Sequence, residues 1–335
     1  MANGPMEPME EKGYEVALRA LWRELEWLEW QPPPELKNIH KPNPKECIEV
    51  KQTLAKATKF PTELIDIVMD FAEYWACSAA SIDYSVTSRK QLGIHGGHSE
   101  NQFLLRTEPL GLTTWHADDE KRWLEAAPTR ALGEEYPRAE LERFVEGPPS
   151  TLDHPCRKIV FEIVSRDQGW SHETESHGTY HSSWTWFDAG IDRFDKAHTP
   201  ESNEDAGESE SKASDNAGNG PTTDSIRPIW PLLKDDLSAY QHPLLPPADH
   251  KIQCNCVAEH EWQHHRVEWL WTDNIRLGTG AAEELEEMGR GSATGDGSFL
   301  RTLKFGDMVT IWGRARFPGW TNNVQKFRVE VYWAL

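Results

Sequence analysis

The chain has no run of about 18 apolar residues and no basic N-terminal region leading into an apolar stretch. Neither a membrane-spanning helix nor a secretory leader is therefore expected, and a cytoplasmic or nuclear protein is the default. Basic side chains are scarce: 35 Lys and Arg stand against 55 Asp and Glu, a formal charge of −20. That balance disfavours phosphate backbones and anionic lipid, so nucleic acid and membrane are not expected partners. Cysteine is sparse too. Cys47, Cys77, Cys156, Cys254 and Cys256 are odd in number and scattered over the chain, which is not a disulfide framework. A Gly-rich phosphate loop with its lysine, a nucleophile elbow and a recognisable Cys/His pair are all missing, and with them the usual signatures of nucleotide binding and covalent catalysis.

Tryptophan is what the chain has in quantity. Its hydrophobic share is 38%, yet 16 Trp side chains supply large apolar surfaces to close a core or line a binding face. With 335 residues, more than one ordered region or a long insertion is expected. Two strand-like runs end in the same corner: Arg157 to Trp170 (RKIVFEIVSRDQGW) and Asp307 to Trp320 (DMVTIWGRARFPGW) both pass from alternating residues into Gly-Trp, 150 residues apart. A second strand pattern follows each corner. Alternation is clearest where Phe327, Val329, Val331 and Trp333 interleave with Arg328, Glu330, Tyr332 and Ala334, one face buried and the other largely wet. Val309, Ile311, Gly313 and Ala315 alternate likewise with Thr310, Trp312, Arg314 and Arg316, and Val267, Trp269 and Trp271 repeat the pattern. Several half-buried strands with turn signals between them predict an antiparallel β-sandwich after a small helical region, an α+β chain that is mainly β.

Residues 1–100 read as the helical N-terminal region, 101–150 as a connector with short helices, and 151–335 as the sandwich. Tyr14, Leu18, Leu21, Leu25 and Leu28 fall on one helix face, ended by Pro32, Pro33 and Pro34, and serve either a partner or internal packing. Further helices are predicted at Lys45 to Lys56 and from Pro61, where Leu64, Ile67, Val68, Phe71 and Trp75 form an apolar face. Residues 85–101 read as a loop, Gln102 to Arg106 as a short strand, and Asp118 to Ala127 and Pro137 to Glu146 as helices. Asp195 to Ser225 is rich in Ser, Asn, Gly, Asp and Glu and reads as a disordered acidic insertion. Strand patterns on both sides place it as a long loop within the sandwich.

Two resemblances add to this reading. The string Phe60-Pro61-Thr62-Glu63-Leu64-Ile65 resembles the start of an F-box over residues 60–75, which implies that Leu64, Ile67 and Phe71 dock on the adaptor of a ubiquitin ligase. The continuation Ala-Cys-Ser-Ala-Ala-Ser departs from an F-box. Secondly, DQGWS (Asp167 to Ser171), HGTY with SWTWFD (His177 to Asp188), HHRVEW (His264 to Trp269) and ARFPGWTN within Gly306 to Asn322 resemble a fungal protein family over residues 60–335. That resemblance implies a jelly-roll or galactose-binding-like sandwich and brings no settled activity with it.

Around the corners, Trp170 and Trp320 have Asp167, Gln168, Tyr180, Asn322 and Asn323 close in sequence. An aromatic platform ringed by amides and carboxylates suits a sugar, while the competing reading has Gly-Trp closing the sandwich with Trp as a core plug. His260-Glu261-Trp262-Gln263-His264 matches the zincin pattern, two histidines one helical turn apart for Zn²⁺ with Glu261 activating water. Arg266 and the strand-like VEWLW oppose it, and Glu283 or Glu284, offered as a third ligand, sits in a short acidic helix pattern. Cys254 and Cys256 with His260 and His264 form an alternative structural zinc set, or are simply small buried thiols. His172, His177 and His181 are read as polar loop residues. Together these point to a non-enzymatic binding or adaptor protein that recognises a protein or glycan, in one form as a ubiquitin-ligase substrate receptor. No cofactor is expected. The alternatives are a zinc-dependent hydrolase and a structural subunit of a larger complex.

Overall fold

The computed structural model describes residues 40–97, 99–117, 132–197, 220–229 and 250–335. The Tyr14 to Leu28 stripe, the Asp118 to Ala127 helix and the middle of the acidic insertion, 198–219, lie outside them. Helix α1 (Pro44–Thr58) starts at a capping box: Asn43 Oδ1 accepts from the Glu46 amide at 3.0 Å, and Glu46 Oε2 accepts from the Asn43 amide at 2.8 Å. It stops at Lys59, which takes a left-handed φ of 58°. Helix α2 (Thr62–Phe71) turns Ile65 and Met69 inward. The expected apolar face is thus split. Trp75 lies past the helix end and is buried, with its indole N–H on Asp70 at 2.8 Å, whereas Leu64, Ile67, Val68 and Phe71 stay exposed.

Ten strands follow among the described residues: β1 (Ala76–Asp83), β2 (Leu92–His95), β3 (Asn101–Arg106), β4 (Cys156–Arg166), β5 (Thr185–Phe194), β6 (Ile226–Pro228), β7 (Lys251–Cys254), β8 (Gln263–Leu270), β9 (Met308–Ala315) and β10 (Thr321–Trp333). Short helices α3 (Arg138–Leu141), α4 (Gly280–Glu287) and α5 (Ser298–Thr302) sit in the connections. One sheet has the order β1-β10-β4-β8 with β2 also on β10, and the other β3-β9-β5-β6 with β7 also on β5. All pairings are antiparallel. With β1, β4, β8 and β10 in one sheet and β3, β5, β7 and β9 in the other, the chain follows the jelly-roll path, a mainly β sandwich as expected.

The sandwich begins at Ala76, not at 151. Strands β1 and β2 pair with β10 and β3 pairs with β9, so residues read as helical region and connector are sheet. Residues 42–335 accordingly form one compact unit. The Ala- and Ser-rich β1 offered no large alternating side chains to mark it.

The core follows the alternation. Ile159, Phe161 and Ile163 of β4, Phe327, Val329 and Val331 of β10, Phe187 and Ile191 of β5, and Val309 and Ile311 of β9 are all buried. Each contributes on the order of 1.5–3 kcal/mol by leaving water. On β9 the opposite face is buried as well, against expectation: Thr310, Trp312 and Arg314 are all interior. Charge neutralisation makes this tolerable, since Arg314 pairs with Asp188 at 2.7 Å and Arg106 with Asp192 at 2.8 Å. The ends of the acidic insertion are ordered. The Asp195 amide donates to Ser225 O at 2.6 Å, and its carboxylate accepts from the amides of Gly133, Glu134 and Ala197. Phe194 pairs with Ile226, so the insertion falls between the antiparallel strands β5 and β6. Among the described residues no helix is long and apolar enough to cross a membrane.

Candidate functional site

The two Gly-Trp corners meet in space. Gly169 takes a φ of +82°, and a Cβ there would lie 2.4 Å from His260 Nδ1, so only glycine admits the β7–β8 loop at this point. Gly319, at a φ of +96°, lies under the Trp170 ring: a Cβ would stand 3.5 Å from its Cη2. Asp167 holds the first corner to its neighbour, accepting from the amides of Gly169 at 2.7 Å, Ala258 at 2.6 Å and Glu259 at 3.2 Å. Burial pushes its carboxyl up, and the three amides oppose that shift. Gln168 ties the corners together, its Oε1 accepting from the Thr321 amide at 3.0 Å and its Nε2 donating to Trp170 O at 2.6 Å.

Beneath them lies a buried amide network. Asn255 Oδ1 accepts from Ser165 Oγ at 2.6 Å, and its Nδ2 donates to Thr185 Oγ1 at 3.0 Å and Asn322 Oδ1 at 2.9 Å. Asn322 in turn donates to the carbonyls of Trp186 and Arg314, and Asn323 donates to Asp167 O. The expectation of a polar ring around a sugar is therefore corrected. Asp167, Asn322 and Asn323 are interior, Asp167 and Asn323 spent on loop backbone and Asn322 on strand carbonyls and Asn255. Tyr180 faces elsewhere, its ring on Gly289 and 5.9 Å from that of His265.

The core-plug alternative is overturned for Trp170, which is 51% exposed; Trp320 is half-buried. Beside them stand Trp184, 40% exposed, and Phe317, 41% exposed, in edge-to-face contact at 4.7 Å. Neither was singled out from sequence, although both lie inside the SWTWFD and ARFPGW strings that signalled the corners. The loops at this end of the sandwich contain residues at left-handed φ. Ser182, Ala258 and Phe317 have φ values of 58°, 59° and 65°, and a bulky residue held there is a strained one kept by its surroundings. The β2–β3 turn closes the end: Gly96 donates to Trp320 O at 3.0 Å, and a Cβ on it would lie 2.1 Å from Phe317 O.

The metal readings do not survive the fold. His260 and Glu261 lie in the loop before β8 and His264 is the second residue of β8, so the two histidines are not on successive turns of a helix. Glu283 and Glu284 belong to α4, as their acidic pattern suggested. Cys254 and Cys256 are buried thiols, each pushed up to about 11 by burial and so protonated at neutral pH. Among the described residues no three His, Cys, Asp or Glu side chains are grouped to hold a metal ion.

A second surface lies on α2. Lys51 holds Asp66 at 2.6 Å and Arg157 holds Asp70 at 3.0 Å, fixing the polar side of the helix against the domain. Leu64, Ile67, Val68 and Phe71, the last 88% exposed, are left facing outward with Phe60 beside them. No family model, curated protein or solved structure matches the chain.

Proposed function

We propose that this protein is a non-enzymatic adaptor that captures a protein ligand at the loop end of the sandwich and docks on a second protein through α2. The observation that carries it is the exposure of Trp170 and of the Trp184–Phe317 pair on the loops around the two corners. Trp is among the residue types that dominate protein interfaces. A protein ligand is favoured over a glycan because the amides and carboxylate that would read hydroxyls are committed to loop support. The double variant Trp170→Ala/Trp184→Ala should lose the ligand in affinity purification from native cells. Each truncation at such a cluster costs on the order of 2 kcal/mol, about 30-fold in Kd. Unchanged recovery would remove the loop end from consideration, and binding to a glycan array that the double variant abolishes would move the ligand class to sugar.

The ubiquitin-ligase form of this reading is favoured by α2, whose outward residues include the three the F-box resemblance pointed to. Leu64→Asp and Ile67→Asp should abolish recovery of the ligase adaptor while leaving Tm within about 2 °C, because exposed positions contribute within about ±0.5 kcal/mol to stability. If both variants keep every partner of the parent chain, the docking role of α2 is wrong.

A further inference from the structure

Strand β1 is a sheet edge whose outer side, from Ala79 to Ser81, is paired by none of the described residues. Its eight residues pair with β10 without a bulge, from Ala76↔Trp333 to Asp83↔Lys326. Cys77 points its N–H away from β10, to Pro42 O at 3.0 Å. Because backbone groups alternate sides along a strand, Ala79 and Ser81 also direct their N–H and C=O outward. Both are exposed, and among the described residues nothing pairs with those groups.

Proteins guard such edges with lysine, proline or bulges. From Ala76 to Ile82, β1 has none of these. The opposite edge of the same sheet is guarded: β8 carries Arg266, whose carbonyl accepts from Arg290 Nη2 at 3.2 Å. Past Ala79 the edge leads to a cleft of about 530 Å³ lined by Cys77 and Ser78, where Pro42 takes the Cys77 N–H, and the cleft has a size typical of ligand sites. Ile48, Leu112 and Trp333 give it apolar walls, while Glu49, Glu108 and Glu146 outnumber Lys45.

We propose that β1 is a strand-addition site for an extended basic peptide of a partner protein, paired antiparallel so that its C-terminal residues reach the acidic cleft. The backbone pairing supplies affinity and the cleft supplies selectivity, the division of labour common to peptide binding at a sheet edge. Basic chemistry is set by the three carboxylates against one ammonium. A second copy of this chain fits poorly, since it would bring another −20 charges to the same edge. The site stands apart from the aromatic loops and from α2, so it holds or fails independently of the adaptor reading.

The test is fluorescence anisotropy of the full chain with two labelled peptides of alternating valine and threonine, one ending in Lys-Arg and the other in Glu-Glu. The basic peptide should bind at least about 10-fold more tightly, with the difference shrinking in high salt. Ala79→Pro should weaken it at least about 10-fold with an unchanged Tm, because proline is tolerated on an edge and removes only an unpaired donor. Should that variant misfold, N-methylating alternate peptide amides gives the same answer on the parent chain. One register should abolish binding and the other spare it. Equal binding of the two peptides, no binding of either, or indifference to both N-methyl registers would overturn the proposal. So would a dimer in analytical ultracentrifugation that Ala79→Pro dissociates, which would assign the edge to a second copy.

Discussion

Asp307→Ala should destabilise the protein by about 3–5 kcal/mol, the toll of leaving one member of a buried ion pair alone. Asp307 is 1% exposed and receives Arg193 in a two-pronged contact, Nε to Oδ1 at 2.6 Å and Nη2 to Oδ2 at 2.7 Å. Such parallel charge-assisted bonds are the strong ones. Its Oδ2 also accepts the Lys304 amide at 2.8 Å, so the carboxylate joins β5 to the turn that launches β9. Without it, Arg193 keeps only Glu135, which is half exposed and cannot neutralise the guanidinium in the interior. Against a total stability of roughly 5–15 kcal/mol, the loss is a large fraction of what holds the fold. Urea denaturation measures it. The double variant Arg193→Met/Asp307→Leu should recover much of the deficit, because exchanging both charges for apolar groups avoids the orphaned ion. A single-variant loss below about 1 kcal/mol would mean that water reaches this pair and that it is not interior in solution.

The same pairs explain what could be read from the sequence. β10 and β4 announce themselves because large apolar residues alternate with polar ones, and alternation is the geometry of a half-buried strand. β1 hides because alanine and serine carry no such contrast, which moved the start of the sandwich downstream by a whole strand set. β9 misleads in another way. Arg314 and Thr310 look like a wet face, and only the register that sets Asp188 opposite Trp312 and Trp186 opposite Arg314 brings an acid within reach of the arginine. No local pattern encodes that pairing.

The candidate site was half legible for a related reason. A tryptophan after glycine marks a corner, but whether its ring turns in or out depends on what fills the space below. Here the second corner's Gly319 lies under the ring, and Trp170 is left outside. The polar residues near the corners looked like ligand contacts. Asp167 and Asn323 instead satisfy amides and carbonyls of loops that have no ladder partner. The HEWQH string fails on the same logic, since a four-residue step brings histidines together only in a helix, and β8 begins in the middle of it.

Acidification should expose the weak point of this arrangement. His265 on β8 has its Nε2 buried without a hydrogen-bond partner, and burial, with the Arg290 guanidinium and His264 adding to it, pushes the imidazole down to about 4 from an ordinary 6.5. Folded-state affinity for the proton is thus lower than unfolded-state affinity. The contribution is complete above about pH 6.5 and is lost as pH falls through about 4, because in that window the unfolded chain takes a proton the folded chain refuses. The difference between pH 7 and 4.5 should be on the order of 2–3 kcal/mol. His265→Phe keeps a ring against Tyr180 and removes the titration, so its stability should fall by correspondingly less over the same interval. Every other ionisable group is common to both proteins, which is why the difference between the two urea series isolates this residue. Equal losses in parent and variant would show that His265 gains a proton freely in the fold. His265 also packs edge-on against Tyr180, in the loop between β4 and β5 that carries Trp170 and Trp184.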